Sequence, residues 1–330
     1  MEVVSMRKIK WGVLGTAGIA KGCTIPGMQQ AENCELYAIA GRSLEKAKAF
    51  QEEFGFEKAY GSYDELLADP EVEAIYIPLP NTMHCEWSIM AMEAKKHVLC
   101  EKPLAPSEAV AKQMIDAANE NGVILMEAFA YLHSPFVAAV KNEISGGAIG
   151  DVLYMESAFI TSDYELTNIR MRRDALGGCL YDLGCYNTSQ ILWMLDEEPV
   201  SVQAVSDFSE DKIDVYTTAL LTYENGKRAV LNCGMCLKTE GNQRIDRFQI
   251  HGTKGCLKSE ANFNQAGKLS YTICIDGKEE VKVVDVPQNY RLEVEQLGRC
   301  ILEGEMPHVS HEFTLKNARL IDRILAKIGY

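Results

Sequence analysis

The chain has 330 residues, 47% hydrophobic and 24% charged, with a formal net charge of −14. That length gives two domains with ample core, and that acidity argues against a general nucleic-acid or anionic-membrane surface while allowing an anionic cofactor held locally. Residues 1–10 hold no apolar signal-type segment, no apolar run is long enough to span a bilayer, and eleven cysteines without a regular framework fit a reducing compartment, so a cytoplasmic protein with free thiols is expected.

Residues 9–14 read as a buried strand, and Gly15-Thr16-Ala17-Gly18-Ile19-Ala20 turns from it into a helix. A strand at 34–40, a helix at 44–54 and a short helix at 63–67 follow. Strands at 73–79, 96–100 and 123–126 then alternate with helices at 82–94 and 107–121, Ser107 serving as an N-cap. This βα alternation predicts a parallel, doubly wound sheet. A helix at 136–143 comes next, and there the pattern changes. Strand-like runs at 152–160, 200–208, 215–223, 228–237, 248–251, 268–275 and 280–286 are punctuated by Asn225-Gly226 and Asp276-Gly277, both hairpin turns. Helices are expected at 182–195, 293–302 and 313–328. The fold class is therefore α/β: an N-terminal domain over 1–131 with a doubly wound parallel sheet, and a C-terminal α+β domain over 132–330 with a largely antiparallel sheet. An exposed face on such a sheet commonly pairs, so a homodimer or homotetramer is expected.

The chemistry gathers at Val98-Leu99-Cys100-Glu101-Lys102-Pro103. Pro103 cannot continue a ladder and restricts the residue before it, so the strand stops and leaves a lone Lys at its carboxyl end. In open α/β sheets that edge is where ligands bind, although a loop-end Lys in water has the same local sequence. Gly15-x-Ala17-x-x-Ala20 has the spacing of a dinucleotide loop in the strand-to-helix context the motif requires. Gly15 permits the tight turn, Ala20 the close helix packing, and the helix start offers N–H groups to a pyrophosphate. Gly15, Thr16, Ala17, Gly18 and Ile19 are thus cofactor candidates. Ala17 departs from the pattern, with a methyl where backbone should approach phosphate, and a plain βα turn is the alternative. The next strand ends Ala40-Gly41-Arg42-Ser43, without the acid that holds a ribose 2′-hydroxyl. Arg42 and Ser43 suit a 2′-phosphate instead, or a solvated N-cap and its neighbour. NADP(H) is favoured, with NAD(H) possible. Cys233-Gly-Met-Cys236 has no second pair and no nearby His, so buried thiols are expected and no metal.

Taken together, the chain resembles the glucose–fructose oxidoreductase/inositol dehydrogenase (Gfo/Idh/MocA) family over nearly its whole length. The resemblance rests on Trp11 to Ala20, on Pro80-Asn81-x-x-His84, on Glu101-Lys102-Pro103 and on Met126-Glu127-Ala128-Phe129. It continues in Asn168-Ile-Arg170, in Gly177-Gly178-x-Leu180-Tyr-Asp182-Leu-Gly-Cys-Tyr186 and in the turn His251 to Gly255. Two positions depart from close members: Leu132 stands where Arg is common, and Tyr186 where inositol-dehydrogenase-like members have His. The Tyr is more like the dihydrodiol dehydrogenase and glucose–fructose oxidoreductase branch.

The resemblance implies that the first domain is a Rossmann domain and that the second domain's sheet is open. It also implies an NAD(P)-dependent dehydrogenase or reductase acting on CH–OH groups of a sugar, cyclic polyol or dihydrodiol. It makes Lys102 the catalytic Lys and places Pro80, Asn81, His84, Glu101 and Glu127 by the cofactor. Arg170, Asp182 and Tyr186 join Lys102 as substrate contacts. Removing a hydride from an alcohol also needs a base for the hydroxyl proton. Asp182 and Tyr186, four apart, share one helix face and are expected to turn it toward Lys102. Tyr186 then transfers the proton and Asp182 orients Lys102 or a substrate hydroxyl. Without the resemblance, Asp182 reads as an N-cap, Tyr186 as a core aromatic, His84 as a surface His and Arg170 as part of a solvated cluster with Arg172 and Arg173. Two other functions use the same parts: a glycoside hydrolase of this superfamily that uses NAD transiently, and a non-catalytic nicotinamide-binding sensor.

Overall fold

A computed structural model describes residues 7–162, 167–237 and 244–330. The chain forms two compact units. The first runs to His133 and takes in Pro287–Thr314; the second comprises Ser134–Val286 and Leu315–Tyr330. The sequence reading assigned everything after residue 131 to the second domain. The returning segment differs because its helix buries Val294 and Leu297, along with Glu293 and Gln296, in the first unit's core.

The first unit is built on strands β1 (Ile9–Leu14), β2 (Cys34–Ala40), β3 (Lys58–Tyr60), β4 (Ala74–Ile77), β5 (His97–Glu101) and β6 (Leu125–Ala128). They form one sheet in the order β3-β2-β1-β4-β5-β6, every pair parallel. Its middle strands are buried almost without interruption, as expected of a sheet covered on both faces. The chain order reverses beside β1, so β1 and β4 flank the switch point where such sheets take ligands. The connecting helices are α1 (Ile25–Gln30), α2 (Leu44–Phe54), α3 (Tyr63–Leu67), α4 (His84–Glu93) and α5 (Glu108–Asn121). Ser43, Ser62 and Ser107 cap α2, α3 and α5 by accepting the N–H three residues on. The three-residue β3 escaped the sequence reading because it is too short to show a period.

The second unit starts with α6 (Pro135–Ser145) and holds eight strands: β7 (Val152–Ser162), β8 (Ser201–Phe208), β9 (Asp214–Thr222), β10 (Arg228–Leu237), β11 (Arg244–Gly252), β12 (Gly255–Ser259), β13 (Gly267–Ile275) and β14 (Lys278–Val286). Their order is β14-β13-β12-β11-β7-β10-β9-β8, with β7 and β10 parallel and the other pairs antiparallel. Asp276 and Gly277, both at positive φ, turn β13 into β14. One face is covered: α7 (Cys185–Leu195) is buried along nearly its whole length. Outer strands alternate toward solvent, leaving Val205, Val281 and Val283 more than 60% exposed. Helices α8 (Asn289–Glu303) and α9 (His311–Ile328) close the chain. Cys233 is buried, its sulfur 3.6 Å from that of Cys179; the side chain of Cys236 lies outside the described residues. Among the described residues no helix is long and apolar enough to cross a membrane.

Candidate active site

In the first unit, Gly15 leaves β1 at φ 111°, a conformation side chains rarely adopt, and its N–H donates to Ala40 O at 2.8 Å. A Cβ there would stand 3.1 Å from Leu79. The loop that follows is open: Gly18 and Ile19 are exposed, and nothing lies within 4 Å of a Cβ built on Gly18. The helix beyond it differs from the expected α-helix. Ala20–Thr24 is a π-turn and regular helix begins only at Ile25. At the end of β2, Arg42 is exposed, and Ser43 is the N-cap of α2, accepting from Lys46 N–H at 3.4 Å.

Lys102 directly follows β5, joined to Pro103 by a cis peptide bond. Its neighbours are held from several sides. The buried Glu101 accepts from the Tyr76 hydroxyl at 2.6 Å, and Tyr76 accepts from Thr24 at 2.8 Å, which ties the π-turn after the glycine loop to the strand before Lys102. Glu293 of α8 is fully buried nearby, and burial followed by the charge of Glu101 holds its carboxyl far above the usual range. Pro80 opens a 3-10 turn over Asn81–Met83 that feeds α4.

His84 is not on the surface. It is fully buried, with Nδ1 3.0 Å from Pro103 O and Nε2 2.8 Å from Leu79 O. Burial, with the Lys102 cation a lesser cause, pushes its pKa down. Both ring nitrogens face main-chain carbonyls, so the ring joins the ends of two strands. Glu127 is likewise enclosed: Oε1 accepts from Leu104 N–H at 2.8 Å and Oε2 from the Thr314 hydroxyl at 2.9 Å. Its carboxyl group holds the segment after Lys102.

In the second unit, Asp182 and Tyr186 sit at the head of α7, but the first turn, Leu180–Gly184, is π-helical where an α-helix was expected. Asp182 is inside that turn rather than its N-cap: its N–H donates to Gly178 O at 3.1 Å. Its Oδ2 accepts from Arg170 Nε at 2.7 Å, so the expected orienter of Lys102 has a cation of its own unit as partner. Asn168 positions Arg170 by accepting its N–H at 3.0 Å. The arginine cluster divides by contact. Arg172 pairs with Asp174 in solvent, while Arg173 donates to Lys212 O and lies 4.5 Å over the Tyr330 ring. Tyr186 is buried, its ring against Phe159 and Phe263 and its oxygen accepting from Asn264 Nδ2 at 3.2 Å.

Residues 9–129 match the oxidoreductase family described as having an NAD-binding Rossmann fold, and residues 137–258 match that family's C-terminal domain. The chain belongs to the Gfo/Idh/MocA family. It is 33% identical over 322 residues to a D-xylose 1-dehydrogenase (NADP(+)) of Haloferax volcanii, covering 95% of each chain. To a trans-1,2-dihydrobenzene-1,2-diol dehydrogenase of Xenopus laevis it is 31% identical, covering 97% of this chain and 98% of the other. KijD10, a 3-ketoreductase from Actinomadura kijaniata solved with NADP and TDP-benzene, superimposes with a TM-score of 0.90 at 31% identity, covering 98% of each chain. The present chain is accordingly an NAD(P)-dependent oxidoreductase. Its first unit fits the cofactor. The positive-φ Gly15 and the open Gly18–Ile19 loop leave a cradle at the switch point, where Thr16 to Ile19 would hold a pyrophosphate. When bound, the nicotinamide supplies or accepts the hydride.

Four groups that hold the candidate residues within their own units were not legible in the sequence: Thr24 and Tyr76 in the first unit, Asp214 and Asn264 in the second. Asp214, buried at the start of β9, accepts Leu180 N–H at 2.8 Å and so anchors the turn carrying Asp182. None of these residues stands in a motif; only the folded chain brings them to their partners.

The burial of Glu127 should leave a signature in stability. Burial, the largest cause, pushes its carboxyl up to about 7 from an ordinary 4.5, against the hydrogen bonds from Leu104 and Thr314. With the folded value above the unfolded one, its contribution is complete below pH 4.5 and is lost as pH rises to about 7. Glu127→Gln should flatten that part of the stability curve, by about 3 kcal/mol across the window. Urea midpoints from pH 4.5 to 8 measure it. A variant with the wild-type slope would place the titration elsewhere.

Proposed function

We propose that this protein is an NADP-preferring dehydrogenase or reductase of a sugar or related cyclic polyol or dihydrodiol. The observation that carries the substrate class is the Arg170–Asp182 pair, 2.7 Å apart and partly exposed on its arginine side, with Asp182 four residues from Tyr186 at the head of an otherwise buried helix. A carboxylate and a planar guanidinium offer the acceptors and donors that vicinal hydroxyls need. In this reading Tyr186 gives its proton to the carbonyl oxygen during reduction and takes it back during oxidation. Lys102 holds the substrate oxygen and supplies the positive charge that favours the phenolate. Arg170 and Asp182 bind the hydroxyls. The NADP preference is supported by the exposed Arg42 beside Ser43 at the end of β2, by the absence of an acid there, and by the NADP-dependent relatives. A homodimer or homotetramer built on the open sheet face, with its exposed Val205, Val281 and Val283, belongs to the same reading.

Absorbance of reduced cofactor across a panel of aldoses, cyclic polyols and dihydrodiols tests the class, with glycosides included. Release of free sugar from a glycoside without net cofactor turnover would replace the dehydrogenase by a hydrolase. Arg42→Ala tests the cofactor. It should raise the dissociation constant of NADP about 10- to 150-fold, the equivalent of roughly 1.5–3 kcal/mol for a charge-assisted contact, and leave NAD nearly unchanged. Equal weakening of both, or a wild-type preference for NAD, would sink the assignment.

A further inference from the structure

The oxygen of Tyr186 is held by a residue that no motif contains. Asn264 lies in the turn between β12 and β13 at φ 59°, in the left-handed region that Asn tolerates better than most side chains. From there its Nδ2 donates to the Tyr186 oxygen at 3.2 Å. The same amide's Oδ1 is buried with no partner among the described residues.

The turn itself is locked. Gln265 N–H donates to Asn262 O at 3.2 Å, and Asn262 N–H donates to the Gln265 side-chain oxygen at 3.0 Å. Phe263 N–H donates to Asp246 Oδ2 at 2.9 Å. Asp246 is buried and paired with Arg244, whose guanidinium lies 4.6 Å over the Phe159 ring. Phe159 and Phe263 then flank Tyr186 at 5.6 and 5.1 Å between centroids. The aromatic contacts fix the plane of the phenol, and the carboxamide occupies one side of its oxygen.

We propose that Asn264 is the positioning residue of the proton-transfer step, donating to the Tyr186 oxygen so that the phenolic O–H is directed to substrate and the phenolate left behind is stabilised. This rests on the role given to Tyr186 above. In the reducing direction a bound reduced nicotinamide would supply the hydride for the new C–H bond. The carbonyl π pair moves onto oxygen and takes the Tyr186 proton, and the phenolate keeps the Asn264 hydrogen bond. The reverse direction restores the phenol. A donated hydrogen bond strengthens as its acceptor gains charge, so it favours the ionised state it accompanies.

The test reads Tyr186 without substrate. Protein labelled with ζ-13C tyrosine is titrated by NMR, and the Tyr186 signal is identified by its loss in Tyr186→Phe. Asn264→Gly keeps the left-handed backbone and removes the donor; Asn264→Asp keeps the shape and puts an acceptor against the oxygen. The Tyr186 midpoint should rise by about half to one pH unit in the Gly variant and further in the Asp variant. Turnover should fall about tenfold in Asn264→Gly. Its pH profile should move by the same amount as the NMR midpoint, and cofactor affinity should not change. An unchanged midpoint in both variants overturns the proposal. So does a downward shift in Asn264→Gly, which would mean that the amide accepts from the phenol. If Tyr186→Phe keeps near-wild-type turnover, the reading beneath the proposal fails instead, and any shift in the titration then reports a structural hydrogen bond only.

Discussion

Lys102→Met and Tyr186→Phe should each lower kcat by about 10²–10⁴, the range for a positioned acid–base group. Met keeps the unbranched stem of Lys102 and removes its charge. Phe keeps the ring that packs on Phe159 and Phe263 and removes only the hydroxyl. Both proteins should therefore fold. Because the proposed mechanism uses the two as one unit, the double variant should lose little more than either single variant. Cofactor affinity should stay within a few-fold in Tyr186→Phe, since the dinucleotide loop and Tyr186 belong to different units. Steady-state turnover on the best sugar found, with cofactor titrated by fluorescence, measures all of this. If only Lys102→Met is impaired, the proton moves through another group. His84, the next candidate by sequence, has both nitrogens against main-chain carbonyls, so Asp182 would take its place. If neither variant is impaired, the active site has been misplaced.

Gly178→Ala should destabilise the protein by roughly 3–5 kcal/mol, a loss reserved for combined strain and clash. Gly178 has φ 113°, and a Cβ there would lie 1.9 Å from Oδ1 of Asp214. Asp214 cannot easily yield. It is buried, and its Oδ2 accepts from Leu180 N–H at 2.8 Å and from the Cys179 thiol at 3.2 Å. The preceding Gly177 is pinned as well, its carbonyl accepting from the Tyr330 hydroxyl at 2.5 Å. Gly122→Ala is the control: φ is also positive, 66°, but nothing lies within 4 Å of the added carbon, so a cost of only about 1 kcal/mol is expected. Denaturant midpoints for the two variants give the comparison. Equal costs would mean that backbone strain alone acts at Gly178 and that Asp214 moves aside freely.

The legible parts of this chain were those with local causes. Strands at 34–40 and 228–237 and helices at 44–54 and 63–67 have the bounds read from the sequence, because serine caps, turn residues and apolar runs act within a few residues. The strand end before Pro103 was legible for the same reason, and with it the place of Lys102. The motif order from Trp11 to Tyr186 was enough to indicate the family. The helix after the Gly15 turn and the helix carrying Asp182 and Tyr186 were legible as helices, yet each begins with a π-turn. Hydrophobic period does not separate the two geometries over five residues.

Legible in the sequence were the two-domain α/β and α+β plan, the glycine turn at Gly15, the lysine that follows β5 and the Asp182–Tyr186 spacing. All of these are set by interactions between near neighbours in the chain. What holds such residues in place comes from pairings distant in the chain. Asp214 reaches Leu180 across 34 positions, Asn264 reaches Tyr186 across 78, and Thr314 reaches Glu127 across 187. Tertiary structure also returned Pro287–Thr314 to the first unit and buried His84 against two carbonyls. Such pairings form because a buried polar group must find a partner wherever the packed chain brings one, and no local pattern records which partner that will be.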